Sequence, residues 1–171
     1  MLKATLSLLF VSVVATGCHS VCGIGNEITI PATDPTAPSV TMDAHFLHQA
    51  MVTVTPGTGS PSVTAAGDEV ITLLATADDP HGAKDIQIWV EETRWHGATQ
   101  EGPGLLGVPE ASSPDTRTAG ATGCTRRLAQ AKLDIPQRRQ GATALRLRVW
   151  ATGVNFNDTK VDTAQLTINW P

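Results

Sequence analysis

The sequence predicts an all-β fold, a sandwich of about seven short antiparallel strands, and three observations predict it. Apolar residues recur at every second position in four separate segments, the pattern of strands with one buried face. The segments are joined by stretches rich in Gly, Pro, Asn and Asp, with no ten-residue helical period between them, which favours a sandwich over a parallel sheet with helical crossovers. Thr, Val and Ala are abundant while charged residues make up only 16% of the chain, a composition suited to strands and turns. A chain of 171 residues holds one domain with a real core and is short for two.

The N-terminus comes before any strand. "MLK" is a short cationic start, and "ATLSLLFVSVVA" adds roughly a dozen apolar or small residues, fewer than the ~20 a spanning helix needs. This is the pattern of a signal peptide over residues 1–17. Small residues then lead into cysteine as "ATGC", Ala15 to Cys18, which resembles the lipobox of bacterial lipoproteins, with Ala15 where leucine is commonest. The resemblance implies that Cys18 takes a diacylglyceryl thioether, often with acylation of the new amino terminus. The implied protein is exported and lipid-anchored to a bacterial membrane, palmitate being the type of chain attached. His19 after the cysteine, in place of aspartate, resembles the pattern for transport to an outer membrane where the host has one. Acyl chains contributing ~0.8 kcal/mol per buried methylene would hold the protein firmly. Ordinary secretion is the competing reading, because Ala15 and Gly17 also satisfy the small-x-small rule for a soluble cut.

Cysteine parity bears on the same point. The chain holds Cys18, Cys22 and Cys124, and an exported protein seldom keeps an odd thiol. With Cys18 acylated, Cys22 and Cys124 remain to form a disulfide, closing a loop of about 100 residues for up to ~4.7 kcal/mol in the chain-entropy account. The alternative leaves Cys22 acylated or unpaired in a flexible leader. Losing Lys3 with the leader turns the formal charge of −4 into −5, so there is no basic field to gather phosphates, which argues against nucleic acid as a partner.

After Cys22, "GIGNEITIPATDPTAPSV" reads as an extended tether with at most one short strand at Glu27 to Ile30, and the tether is set at residues 18–38 with the boundary near Pro38. The domain then occupies 39–171. Strands are expected at Ser39 to Asp43 and Met51 to Thr55. "VITLLATADDP" follows with Ile71, Leu73, Ala75 and Ala77 inward. "DIQIWVEE" puts Ile86, Ile88 and Val90 inward and Gln87, Trp89 and Glu91 outward. Another strand is expected at Leu128 to Ile135. "ALRLRVWAT" buries Leu145, Leu147, Val149 and Ala151 against outward Arg146, Arg148 and Trp150, and "DTAQLTINW" buries Ala164, Leu166, Ile168 and Trp170. Between them, residues 94–123 form a long inserted loop, well beyond the usual connection length.

The run "GDEVITLLATADDPHGAKDIQIWV" resembles the B strand, turn and C strand of bacterial immunoglobulin-like modules, and "LRLRVWATGVNFNDTKVDTAQLTINW" resembles their F and G strands. The resemblance implies that C, F and G are neighbours in one sheet. Its outer face would then gather Trp89, Trp150, Arg146, Arg148, Gln87 and Glu91, a residue set that suits binding hot spots and stacking on sugar rings. Against this stands a cover formed by the 94–123 insertion through Leu105, Leu106 and Val108, with Glu91 paired to an arginine. The fold also brings two acidic and amide-rich turns to one end. Asp78, Asp79 and Asp85 with Asn155, Asn157 and Asp158 are weak calcium candidates, since calcium wants six to eight oxygens and no D-x-D-x-D-G loop is present. The same residues are ordinary turn formers. His45 and His48, with His81 and His96 elsewhere, fall short of a zinc ligand set.

No G-x-S-x-G elbow, Walker loop or HEXXH helix occurs, and the chain has no tyrosine. The expectation is a non-enzymatic envelope module without a cofactor, acting in binding or structure, with an envelope protein or polysaccharide as partner. A carbohydrate or surface polymer held on the Trp/Arg face is the more specific alternative.

Overall fold

The structure is a computed structural model and describes residues 18–21, 27–105, 109–112 and 125–171. Two packed β-sheets enclose one core. β1 (Cys18–Val21) and β2 (Glu27–Ile30) form a separate antiparallel pair that places the expected strand at Glu27. The first sheet of the sandwich runs β10 (Arg126–Asp134), β6 (Val70–Asp78), β3 (Ser39–Phe46), β4 (Val52–Val54). The second runs β5 (Ser62–Thr64), β13 (Leu166–Trp170), β11 (Ala144–Asn155), β7 (Ala83–His96), β8 (Thr99–Leu105). To it are added β12 (Lys160–Asp162) on β11 and β9 (Ala111–Ser112) on β7. Among the described strands, all pairings are antiparallel except β13 with β5.

Every segment with clear alternation forms a strand, though the last begins only at Leu166 and leaves Ala164 in the connection after β12, and the inward residues supply the core. Ile71, Leu73, Ala75 and Ala77 of β6 face Ile86, Ile88 and Val90 of β7 and Leu145, Leu147, Val149 and Ala151 of β11, all buried. Leu166 and Ile168 join them, while Ala164 and Trp170 are only partly buried against the cluster. The inward side chains shrink along two strands in the same direction, from Ile71 to Ala77 on β6 and from Leu145 through Ala151 to Gly153 on β11. The two sheets therefore converge at the end holding the β6–β7 and β11–β12 turns, where Gly153 passes Val40, Pro38 and Ala77.

The strand expected through Ile135 stops one residue earlier. The Asp134 carboxylate accepts from the Gln137 amide at 3.1 Å and caps α1 (Ile135–Arg139), whose Pro136 suits a first helical turn. Residues 94–105 correct the expectation of an inserted loop. β7 runs on to His96, turns through Gly97–Ala98 and returns as β8, because Gly97 accepts the positive φ of +62° that a two-residue hairpin needs. β9 then pairs with Gln87 and Ile88 of β7. The sandwich thus holds eleven described strands where about seven were expected.

Candidate functional site

The β11–β7 register places Trp150 opposite Trp89, Arg148 opposite Glu91, Thr152 opposite Gln87 and Arg146 opposite Thr93. The six residues grouped by parity therefore share one sheet face. The two indoles lie 13° from parallel with centroids 6.4 Å apart, an offset-stacked cross-strand pair. Arg148 donates to Glu91 at 3.0 Å, and the Gln87 amide donates to Asp85 at 2.7 Å. Arg146 stacks over the Trp95 ring at 5.2 Å while its Nε donates to Asn169 at 3.3 Å. Trp95 escaped the sequence reading because it fell in the supposed loop, although Glu91, Thr93 and Trp95 continue the outward alternation.

Trp89 and Trp150 are partly exposed. The described part of the 94–112 region widens the sheet beside β7, with Leu105 opposite Glu91 at the strand edge. Leu106 and Val108 lie outside the described residues.

At the converging end each acidic or amide candidate has a local partner. Asp78 takes Arg126 at 2.5 and 3.1 Å, and Asp158 takes Lys84 at 2.5 Å. Asp85 accepts from the Ile86 amide and from Gln87. Asn155 accepts from the amides of Asn157 and Thr159 and donates to Thr36 O at 2.8 Å, and Asn157 donates to Pro31 O at 3.2 Å. Of the six, Asp79 belongs to the close group of ligand atoms found among the described residues, with Asp34 and His81.

Asp34 lies in the stretch read as tether. From Pro31 on, that stretch is fastened to the sandwich by Asn155, Asn157 and Thr159. The Thr36 amide bond at 3.0 Å, and behind it the His81 ring at 2.8 Å, hold the Asp34 carboxyl below its ordinary range against the opposing effect of burial. The other histidines with described side chains are scattered: His48 contacts Asp68 at 3.4 Å, His96 contacts Glu101 at 3.6 Å, and His45 is exposed.

At the opposite, wider end a cleft of about 550 Å³ opens between β7, β8, β10 and α1. The inward row of β7 turns from apolar to charged there, at Glu92 and Arg94. Glu92 binds both Arg94 and Arg138, the latter at 3.1 Å, and Arg138 also binds Glu110. This chain of four partly buried charges lines the cleft and pairs mutually, though Arg94 Nε is left buried without a hydrogen-bond partner among the described residues.

Cys22 and Cys124, the expected disulfide pair, lie outside the described residues, and of Cys18 the structure describes only the backbone, opposite Ile30. No protein-family profile and no curated protein matches the chain.

Proposed function

We propose that the chain is an exported bacterial envelope lipoprotein, anchored through Cys18. Its immunoglobulin-like sandwich binds a neutral surface polysaccharide, without turnover, on the outer face of the seven-stranded sheet. The observation that carries this reading is the Trp89–Trp150 pair, two near-parallel indoles left partly exposed on a face the described chain does not cover. A pyranose ring has an apolar C–H side that packs on an indole and a rim of hydroxyls that needs donors and acceptors. Arg148, Glu91, Arg146, Asn169 and Gln87 surround the rings with both. The Arg148–Glu91 pairing leaves the face close to neutral at its centre, which suits an uncharged polymer better than a polyanion. The strand order supports the immunoglobulin-like assignment: β3, β6 and β10 lie opposite β13, β11 and β7, with β5 running parallel to β13.

Soluble fragments of envelope polysaccharide should quench tryptophan fluorescence in a saturable way. The Trp89→Ala and Trp150→Ala variants should each bind roughly 30-fold more weakly, the ~2 kcal/mol expected of a central aromatic contact. Undiminished binding by both would remove this face as the site. For the anchor, Cys18→Ala should move the folded protein from the membrane pellet to the soluble fraction. Retention in the pellet at high salt would mean that Cys18 is not what holds it.

A further inference from the structure

We propose that Asp34, Asp79 and His81 form a binding site for a zinc-class divalent cation, which fastens the segment at residues 31–36 to the converging end of the sandwich. One ligand atom from each of the three lies within 4.8 Å of the others. The three come from elements the fold fixes in place. Asp34 is set by its own carbonyl, which accepts from Thr159 Oγ1 at 2.8 Å and Asn155 Nδ2 at 3.4 Å. Asp79 and His81 are set by the β6–β7 turn, where the Asp79 amide donates to Thr125 O at 2.8 Å and the His81 amide donates to Asp79 Oδ1 at 2.7 Å.

The Thr36 amide and the His81 ring compensate the Asp34 carboxylate, and Asp79 has only the His81 amide among the described residues. Asp34 is 6% exposed and Asp79 3%. Carboxylates buried so far are costly unless a positive charge accompanies them. Among the described residues no lysine or arginine lies within ion-pair distance of either, and the single basic contact is His81 with Asp34 at 2.8 Å. The second oxygen of Asp79 takes no hydrogen bond at all. One imidazole therefore faces two carboxylates, and the second oxygen of Asp79 keeps a lone pair free for an ion. A divalent cation would balance both.

The donor chemistry selects the ion. One imidazole nitrogen and two carboxylates form a mixed N/O set of the kind zinc accepts, with three protein ligands and a water in the open position. Calcium and magnesium prefer all-oxygen shells of six or more, which this group does not provide. The His81 side chain is half exposed, leaving a solvent side for that water and a way in for the ion. On binding, the ion takes the place of the direct contact between His81 Nδ1 and Asp34 Oδ2.

The test is zinc titration of the chelator-treated full chain by calorimetry, with thermal unfolding recorded alongside. One zinc per chain is expected, with a raised Tm, and calcium should not compete. Asp79→Asn keeps the side-chain oxygen that accepts from the His81 amide and should weaken binding at least tenfold without lowering the metal-free Tm. His81→Gln changes a half-exposed side chain and should do the same, which decides the matter if Asp79→Asn folds poorly. Absence of stoichiometric binding, displacement of zinc by calcium, or wild-type affinity in His81→Gln would each overturn the proposal, the last by assigning the ion to another of the chain's histidines or to its cysteines.

Discussion

Replacing Glu69 with alanine will destabilise the domain by about 3–4 kcal/mol, measured by denaturant unfolding, more than any exposed charge in the chain. Glu69 is fully buried just before β6. Its Oε1 accepts from the amides of Leu47 and His48 at 2.5 and 3.1 Å, and its Oε2 accepts from the Gln49 side chain at 3.4 Å. The carboxylate thus ties down the chain leaving β3, where the β3–β6 pairing ends at Phe46 opposite Ile71. Each charge-assisted bond contributes roughly 1.5–3 kcal/mol, and truncation also leaves a hole at the edge of the core. Glu69→Gln keeps an acceptor for both amides and should cost only about 1 kcal/mol. Equal losses in the two variants would show that side-chain volume, not hydrogen bonding, is what matters there.

Gly153→Val carries the second large effect. A Cβ at 153 would overlap Val40 Cγ2 and stand 3.2 and 3.3 Å from Pro38 Cγ and Ala77 Cβ. These neighbours are backbone-fixed or stiff, so relief requires the sheets to part where they converge. Overpacking of this kind costs about 3 kcal/mol, or roughly 10 °C in Tm for a domain this size. Combining it with Val40→Ala should recover part of the loss, since Val40 is the overlapping partner. No recovery would place the strain elsewhere.

Strand positions were readable because period-two alternation is a local property, and for Ile71, Ile88 or Leu147 nothing in the fold competes with it. The Trp/Arg face was readable for the same reason, once two strands were taken as neighbours. Other features depend on partners far along the chain. Glu92 and Arg94 continue the inward parity of Ile86, Ile88 and Val90, yet their burial depends on Glu110 and Arg138. Glu69 sits in a Gly-containing turn that looks solvated, and only the register of β3 on β6 brings amides to it. Asp34 is hidden among prolines that signal an extended leader, though Asp34–Pro35–Thr36 is a recognisable turn sequence, realised here as the Thr36 amide bond to the Asp34 side chain. Trp95 was lost to a misplaced boundary, since Gly97 was read as loop and not as a hairpin turn.

The most direct measurement of the proposed binding face follows the four tryptophan indole N–H resonances as an envelope polysaccharide is added. Trp89 and Trp150 lie on the face and Trp95 borders it under Arg146, while Trp170 packs against the core with Arg139 over its ring at 5.1 Å. The account predicts saturable shifts of Trp89 and Trp150, a smaller one of Trp95, and a stationary Trp170. Four unmoved resonances, or a response led by Trp170, would contradict it.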